Sequence, residues 1–335
     1  MQRQILTNMK MKTNFKVLLN WYFGLCLLGC ILVSLLPWWP SIPAFVILKY
    51  ILLFAPRWLL FLSLLFLMFS WRYLSKPQKY LLPLLFFISI KYLDFGMHLN
   101  LDSHEEQHKT VKIITANIGE GGKLKRIKLL LKYDQPDILL LQDAHKLPLK
   151  ELPNNYTHAE CVGELCIVSK YPFERTNNLS RALLGGWGNS AIFYKVFIGN
   201  SIINVANVHF QSVHSLLIDI AKRTIDVSDA EHVEDNKNIE AGVLGSWLRS
   251  TPNSIIAGDF NMPVEDNIYH EHFSSEHNAL SDAGLGFNST IKTYGLSLRI
   301  DHILYSQHFG IIDAQTIEPL GGDHIPVMAT LVVIQ

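Results

Sequence analysis

The chain has 335 residues, so it is too long for one average domain. It carries 29 basic and 29 acidic side chains, and its hydrophobic fraction is 49%. Its charge is divided unevenly, because residues 1–97 contain ten basic residues and one acid, which leaves 19 basic and 28 acidic residues for the remainder. An acidic body has no general attraction for phosphate backbones, which argues against a nonspecific nucleic-acid binder but not against an enzyme whose metal ion supplies positive charge.

Residues 1–97 are predicted to form a membrane domain with about three transmembrane helices. The run Val17–Leu36 carries no charge and has about the 20 residues that span a bilayer core. A second span is predicted at about Tyr50–Trp71, and a third, shorter one at Leu81–Tyr92. A signal peptide is the alternative for the first run, although apolar sequence continues well past any cleavage site.

Basic residues near the ends of these runs indicate how they are oriented. The residues before the first run and the linker between the second and third runs, here called the leader and the basic linker, are both basic. The linker Pro37–Pro43, between the first and second runs, has no Lys or Arg. By the positive-inside rule, three spans place the following body outside the cytoplasm, and two spans would leave it inside. The basic residues are Arg3, Lys10, Lys12 and Lys16 in the leader and Arg72, Lys76 and Lys79 in the basic linker.

Residues 98–110 are polar and are interpreted as a linker to the body, which is predicted to span residues 111–335. The linker includes His104–His108, which formally matches the zinc-protease pattern H-E-x-x-H. That chemistry requires an amphipathic helix packed on a core and a third ligand, whereas this stretch has no apolar face. We interpret the match as a coincidence.

The body begins with two strand-like runs and a helix. Val111–Ile118 ends in Thr-Ala-Asn, Leu124–Tyr133 has helical periodicity, and Asp137–Asp143 is a second buried run that ends in an acid. A strand–helix–strand unit brings Asn117 and Asp143 to one rim, where their oxygen atoms suit a hard cation such as Mg²⁺ or Ca²⁺. Taken alone, Asp143 fits an acid in a turn better than a ligand.

The middle of the body is predicted to be rich in strands, and one of them ends in His209. Taken alone, a histidine at a strand end fits a hydrogen bond to a neighbouring carbonyl better than catalysis. Cys161 and Cys166 allow two interpretations, a disulfide in an oxidising compartment or two buried thiols, and the second is favoured here. The predicted elements are strands at Cys161–Val168, Asn189–Phe197 and Ser201–His209, then helices at His214–Ile225 and Lys237–Arg249.

The stretch Ser254–Pro263 joins a buried strand to a tight turn. Gly258 allows the backbone to turn close to the point where Asp259 and Asn261 are presented. Two positions apart on extended backbone, the carboxylate and the carboxamide point the same way. The carboxylate can accept a proton or hold a water while the carboxamide orients it. An Asx turn that caps the strand is the structural alternative.

The last part of the chain carries two further acids and a histidine. Met262–Ser297 is predicted to be a long, loop-rich connection suited to substrate contacts. Leu298–Tyr305 is a predicted strand with Asp301 in its middle, and a buried acid requires a partner such as a histidine. A glycine turn then presents Asp323 and His324 before the final strand.

Polar residues at these strand ends form one ordered set of motifs: Asn117 in T-A-N-I, Asp143 in L-L-Q-D, His209 in N-V-H-F, Asp259 and Asn261 in G-D-F-N, Asp301 in R-I-D-H, and Asp323 with His324 in G-D-H-I-P-V. In this order they resemble the endonuclease/exonuclease/phosphatase superfamily, which is deoxyribonuclease I-like, over about residues 111–335. The resemblance implies a four-layer α/β sandwich, in which two packed, mostly antiparallel sheets lie between outer helices, preceded here by transmembrane helices. Three spans ahead of such a domain also resemble a membrane-attached bacterial branch of the family. That implies a multi-pass protein of the inner membrane with a periplasmic catalytic domain.

The resemblance implies a metal site as well. Asp143, with help from Asn117, is expected to bind Mg²⁺, with Mn²⁺ or Ca²⁺ as alternatives, and Asp323 is expected to support the metal or the histidine beside it. The family usually has Glu where this chain has Asp143, which is one methylene shorter. The shorter carboxylate can still reach the ion through a water, since Mg²⁺ keeps several waters, or it can mark weaker binding or a lost activity.

The resemblance assigns the acid–base work to two supported side chains. Asp259, held by Asn261, and His324, oriented by Asp301, are expected to act on the attacking water and the leaving oxygen. Which of the two is the acid and which the base stays open. His209 is expected to donate a hydrogen bond to the phosphate.

The sequence thus predicts a membrane-tethered, Mg²⁺-dependent hydrolase of phosphodiester or phosphomonoester bonds. The tether and the acidic surface favour lipid or small-molecule phosphates near the bilayer as substrates. A metal-dependent endo- or exonuclease, with nucleic acid as its partner, is the alternative enzyme. A degenerate domain that binds a ligand without hydrolysis is the alternative of a different class.

Overall fold

The computed structural model describes residues 2–98, 109–119, 123–144, 147–224, 226–291 and 298–334. The formal zinc-protease match at 104–108 and most of the predicted linker lie outside the described residues. The helices are α1 Gln2–Ser34, α2 Pro43–Phe54, α3 Trp58–Phe69, α4 Lys76–Tyr92, α5 Leu124–Tyr133, α6 His214–Lys222, α7 Val227–Ser250, α8 Asn267–Phe273 and α9 Ala279–Ala283. The strands are β1 Phe95–Met97, β2 Thr110–Asn117, β3 Ile138–Gln142, β4 His158–Val162, β5 Leu165–Ser169, β6 Phe173–Ser180, β7 Asn189–Ile198, β8 Ser201–His209, β9 Ser254–Asp259, β10 His277–Asn278, β11 Leu285–Phe287, β12 Asp301–Tyr305, β13 Phe309–Thr316 and β14 Val327–Val333.

Two six-stranded sheets form the body of the molecule. The strand order is β13-β14-β2-β3-β5-β4 in the first sheet and β10-β12-β9-β8-β7-β6 in the second. Each sheet contains one parallel pair, β2 with β3 in the first and β8 with β9 in the second. The other neighbouring strands are antiparallel. Both sheets are therefore mostly antiparallel, as predicted.

The two sheets pack face to face because apolar side chains alternate along their strands. Ile113 belongs to the core between the sheets, whereas Ile114 packs in the cluster beneath α5. On the second sheet, Ile255 belongs to the shared core, whereas Ile256 packs with Leu244 of α7. The order helix, sheet, sheet, helix confirms the predicted four-layer α/β sandwich.

Some local predictions in the body are wrong. The run predicted as one strand at Cys161–Val168 is a hairpin of β4 and β5, which turns at Gly163 with a positive φ of 64°. Cys161 and Cys166 occupy opposed positions in this hairpin and form a disulfide, so the favoured interpretation of two free thiols is also wrong. Within the predicted loop-rich connection, the described residues form α8, β10, α9 and β11.

The N-terminal helices differ from the predicted membrane domain. In the described part of the chain, the segment Asn14–Ser34 of α1 is long and apolar enough to cross a membrane. α2 and α3 provide a second crossing only if they count as one span despite a bend of 73°. The predicted span Tyr50–Trp71 is therefore not one continuous helix, since Pro56 has no amide hydrogen with which to continue it. The third run, Leu81–Tyr92, lies in α4, whose 17 residues are too few for it to count as a membrane-spanning helix. Helix length therefore does not support a multi-pass location.

α2 packs against the body instead of standing apart from it. Lys49 forms an ion pair with Glu234 of α7, and Arg57 donates from two nitrogens to both carboxylate oxygens of Glu265 at 2.9 Å. These charged residues interrupt the apolar run because they are buried and paired with the body. In addition, β1, just after α4, pairs with β11. The helices and the body are thus joined by packing as well as by the chain.

Candidate active site

The two sheets direct polar side chains toward each other at one edge. Along β9, the alternation that points Ile255 and Ala257 into the shared core also points Asp259 inward. Along β2, the same alternation carries on from Ile113 to Asn117. The two side chains meet, and Asn117 Nδ2 donates a hydrogen bond to Asp259 Oδ2 at 3.0 Å.

Strand register brings two further residues to this edge. β8 is parallel to β9, and the register places His209 beside Asp259. β12 is antiparallel to β9, and its first residue, Asp301, is opposite Asp259. Gly258 is required for the close approach of β8 and β9, because a Cβ at this position would lie 1.9 Å from the carbonyl oxygen of Val208.

Asn261 fixes the second oxygen of the Asp259 carboxylate. Its backbone amide donates to Asp259 Oδ1 at 2.8 Å, and its side-chain amide donates to the carbonyl oxygen of Phe210 at 3.0 Å. This geometry requires a positive φ of 49° at Asn261, which asparagine tolerates better than most residues. The predicted Asx turn and the predicted orientation of the Asp259 carboxylate by Asn261 are therefore features of the same arrangement.

Half-buried His324 and buried Asp301 form a pair beside Asp259. His324 Nδ1 lies 2.9 Å from Asp301 Oδ2, while its Nε2 lies 3.8 Å from Asp259 Oδ2. The backbone amide of Asp301 donates to Thr290 Oγ1 at 3.0 Å. Burial lowers the pKa of His324, but Asp301 and Asp259 outweigh this effect and raise the pKa to about 10. The two carboxylates thus favour the protonated form of the ring, which faces Asp259.

His209 lies between two carboxylates. Its Nδ1 is 3.7 Å from Asp143 Oδ1, and its Nε2 is 3.8 Å from Asp259 Oδ2. Nδ1 is buried and has no hydrogen-bond partner among the described residues. The backbone of His209 is held by Arg181, which donates to its carbonyl oxygen and also pairs with Glu240 of α7 at 3.2 Å. The ring therefore has a free nitrogen beside the carboxylates.

Asp143, Asn117 and Asp323 are the residues whose oxygen atoms were predicted to bind or support a divalent ion. Asp143 follows β3 with its side chain 31% exposed and its φ at 51°. Asn117 Oδ1 accepts from the amide of Gly119 at 2.9 Å and retains a second lone pair. Asp323, exposed beside His324, contributes to the raised pKa of that ring. Carboxylate and carboxamide oxygens fit the preference of Mg²⁺ and Ca²⁺.

A second group of possible ligands is less suited to such an ion. One ligand atom each from Asp259, Asp301 and His324 lie within 4.8 Å of one another. However, His324 Nδ1 already shares a hydrogen bond with Asp301, and hard cations prefer oxygen over a ring nitrogen. The arrangement fits a group that exchanges protons better than a cage for a metal.

All eight residues from the motif set thus lie at one edge of the paired sheets, with Asp323 the most exposed. Sequence reasoning missed the residues that support them. Gln142 donates to Asn207 Oδ1 at 2.7 Å and so bridges the sheets behind the site. Both are polar residues inside apolar runs, which is a usable signal, whereas Arg181 and Thr290 carry none in the sequence.

Comparisons with known proteins identify the family to which this fold belongs. The family model described as Endonuclease/Exonuclease/phosphatase family matches residues 114–324. A comparison with curated protein sequences found no match. Among solved structures, the chain is similar to the 3′ phosphatase NExo from Neisseria bound to a product DNA hairpin, with 20% identity, a TM-score of 0.50, and coverage of 65% of this chain and 98% of that one.

Two further structures have the same fold at similar identity. An endonuclease/exonuclease/phosphatase from Bacteroides vulgatus is 16% identical with a TM-score of 0.51, and the match covers 67% of this chain and 99% of that chain. Truncated TDP2 from Caenorhabditis elegans is 17% identical with a TM-score of 0.50, covering 67% and 98%. Enzymes of this family hydrolyse phosphoester bonds and typically depend on divalent metal ions. Because the family model matches residues 114–324, which are more than half of the chain, the chain belongs to the endonuclease/exonuclease/phosphatase family.

Proposed function

We propose that this protein is a membrane-tethered, Mg²⁺-dependent phosphoesterase that hydrolyses phosphodiester or phosphomonoester bonds. One observation carries the proposal: Asp259 Oδ2 lies 3.8 Å from both His324 Nε2 and His209 Nε2 and is held by Asn117 at 3.0 Å. A carboxylate and an imidazolium that face the same small space can move protons in opposite directions there.

The proposed reaction is an in-line hydrolysis. A water oxygen attacks phosphorus, the ester P–O bond breaks, one proton leaves the water, and one proton reaches the leaving oxygen. Asp259 and His324 share these two transfers, with Asn261 and Asp301 keeping them oriented. His209, whose Nε2 lies 3.8 Å from Asp259 Oδ2, donates to a phosphate oxygen.

Asp143, with Asn117 and Asp323, would hold the ion, for which Mn²⁺ or Ca²⁺ are alternatives to Mg²⁺. When bound, the ion supplies positive charge that neutralises the phosphoryl oxygens. The side chain of Asp143 is partly exposed, so water can fill the gap that the missing methylene leaves. A domain that has lost catalysis but still binds a ligand is the outcome if this carboxylate does not hold the ion.

The proposed orientation has the body outside the cytoplasm. Contacts between Phe15 and Tyr73 and between Gln78 and Asn20 bring the start of α1 next to the turn between α3 and α4. This end of the helices carries most of the basic residues, as expected for a cytoplasmic end, and it is opposite the end that contacts the body. The Cys161–Cys166 disulfide supports the same orientation, since disulfides persist in oxidising compartments.

Lipid or small-molecule phosphates close to the bilayer are the proposed substrates. Leu298 and Ile300, which precede Asp301, pack in one cluster with Leu36 and Tyr50 of the N-terminal segment. The site is therefore adjacent to the helices that would meet the membrane. The acidic body gives no general attraction for nucleic acid. A nuclease is the second candidate, supported by the similarity to NExo, a 3′ phosphatase described in complex with DNA.

The test uses the full chain in detergent with Mg²⁺ and panels of lipid phosphates, small phosphoesters and DNA ends. We expect turnover that falls at least about 100-fold in Asp259→Asn. The matched control is Asp229→Asn, an exposed acid in the first turn of α7, which should keep full turnover. Turnover that is unchanged in Asp259→Asn, or absent for every substrate, would refute the proposal. Absent turnover with preserved Mg²⁺ binding would identify a binding domain instead.

A separate experiment tests orientation. When the chain is expressed in a bacterial host, protease added to intact spheroplasts should cleave the body. A body that stays protected until the spheroplasts are lysed contradicts the proposed sidedness.

A further inference from the structure

Four charged side chains are buried between α2 and the body. Lys49 of α2 is 1% exposed, and Glu234, Lys237 and Asp266 of the body are equally inaccessible to solvent. The set contains two cations and two anions, so its formal charge is balanced. Buried charges are tolerated when they are paired, and removal of one partner leaves the others uncompensated.

Contacts within this set are specific. Lys49 Nζ donates to Glu234 Oε2 at 2.6 Å and to Asn267 Oδ1 at 2.8 Å, and it lies 3.4 Å from Asp266 Oδ1. The other oxygen of Asp266 lies 3.4 Å from Lys237 Nζ. Asp266 is thus shared between a lysine of α2 and a lysine of α7.

The same network reaches the candidate active site. Lys237 Nζ donates to the carbonyl oxygen of Asn261 at 3.1 Å. Asn261, in its left-handed conformation, is the residue whose amide donates to Asp259 Oδ1 at 2.8 Å. A continuous series of polar contacts therefore runs from α2, through the body, to the carboxylate at the centre of the site.

Loss of Lys49 would change the electrostatic environment of Lys237. One ammonium group would then face both Glu234 and Asp266 in a buried environment, and it would be drawn toward the two carboxylates. The carbonyl of Asn261 would lose its donor, and the turn that holds Asp259 would lose one of its supports. A residue in an N-terminal helix would in this way alter the geometry of the reacting groups.

We propose that Lys49 is a positioning residue for Asp259, which acts through Asp266, Lys237 and Asn261, so that α2 completes the active site. The inference rests on the proposed function, because it assigns Lys49 an effect on hydrolysis. A purely structural role, in which the ion pairs only dock α2 on the body, is the alternative. Arg57 offers the matched comparison, since it forms a buried pair with Glu265 at the same interface and has no hydrogen bond to Asn261 among the described contacts.

The test compares Lys49→Met with Arg57→Met in the full-length protein in detergent. Steady-state kinetics on the best phosphoester give kcat and KM, and hydrogen–deuterium exchange gives the protection of the segment 259–262. For Lys49→Met we expect kcat to fall about 10–100-fold with little change in KM, the loss typical of a displaced catalytic group. We also expect faster exchange in that segment. Arg57→Met should leave both measurements near wild type, even where its melting temperature falls.

Two further variants keep the inference falsifiable if Lys49→Met folds poorly. Lys49→Met combined with Glu234→Gln restores the charge balance and should recover protection of segment 259–262 and most of kcat. Lys49→Arg, which keeps the charge, should do the same. Equal losses of kcat in Lys49→Met and Arg57→Met, or unchanged exchange in Lys49→Met, would refute the inference. If the wild-type protein hydrolyses no ester, the proposed function fails, whereas the exchange comparison still decides whether Lys49 controls the Asp259 turn.

Discussion

Asn117 of the first sheet donates a hydrogen bond to Asp259 of the second sheet, with 3.0 Å between Nδ2 and Oδ2. The candidate site is therefore divided between the sheets, and its geometry depends on how they pack. Gln142 and Asn207 form a second polar bridge between the sheets behind it, at 2.7 Å. These buried bonds fix the separation of the sheets where the reacting groups meet.

Replacing Asn117 with alanine should therefore impair both catalysis and stability. Asp259 loses one of its hydrogen-bond donors. We expect kcat to fall about 10–100-fold, because a reacting group displaced by about 1 Å can lose about 100-fold in rate. The free energy of unfolding should fall by about 1–3 kcal/mol, the cost of a lost buried hydrogen bond. Asn178→Ala, at an exposed position of β6, is the control for both measurements.

Asp143 should determine the affinity for the divalent ion. Calorimetric titration of Asp143→Asn with Mg²⁺ should show binding weakened by at least about 10–100-fold, the loss typical of even an outer-shell partner. Asp143→Glu restores the carboxylate length usual in the family and should bind Mg²⁺ at least as tightly as the wild type. Chelation should abolish turnover, and Mg²⁺ should restore it. If Asp143→Asn binds Mg²⁺ as tightly as the wild type, other residues bind the ion.

His302 should make the protein sensitive to mild acid. Burial lowers the pKa of this ring to about 3, and the neutral ring accepts from Asn278 Nδ2 at 3.1 Å and donates to the carbonyl of Met262 at 3.0 Å. Because the folded pKa lies below the ordinary value of 6.5, the unfolded chain binds more protons between these values. Stability should therefore fall as the pH drops from about 6.5 toward 3, by up to about 1.4 kcal/mol per pH unit.

Thermal unfolding between pH 7.5 and 5 checks this dependence. His302→Gln keeps an acceptor and a donor but does not titrate, so its melting temperature should vary less with pH than that of the wild type. His214→Gln, at an exposed position, should vary as the wild type does. An identical pH dependence in His302→Gln and wild type would show that another group is responsible.

Loss of the disulfide should destabilise the hairpin beside Asp143. Leu141, two residues before Asp143, pairs with Cys166 in the sheet, so the bond supports the strand that carries the carboxylate. Cys161→Ser combined with Cys166→Ser should cost about 2 kcal/mol, as expected for a short loop closed by a disulfide. Thermal unfolding measures this cost, and alkylation followed by mass spectrometry of the exported protein should find both thiols protected.

The residues that converge at the site were largely predictable, and the contacts that support them were not. Strand periodicity placed Asn117, Asp259 and Asp301 at strand ends or within strands, and the order of the motifs then indicated the fold. Lys49 gave the opposite impression, because a lysine in an apolar run indicates an interrupted membrane span. Its partner Glu234 is 185 residues away in the sequence, so no local pattern connects them.

Similar reasons explain the other differences. β6 has mostly exposed side chains and lacks the apolar alternation that marks a strand. The disulfide depends on the register of a hairpin that was predicted as one strand. Thr290 and Arg181 support the site through backbone groups of Asp301 and His209, and such contacts follow from tertiary packing alone.

The pairing of β1 with β11, together with the buried ion pairs of Lys49 in α2, restricts how the body can move relative to the N-terminal helices. Phe95 is opposite Phe287 in this small sheet, so the body is attached to the helices on both sides of residues 99–108. A domain on a free linker would reach a wide volume, whereas these contacts hold the body next to the N-terminal helices. Under the proposed function, substrates would therefore have to reach the site by lateral diffusion in the bilayer or by diffusion from solution.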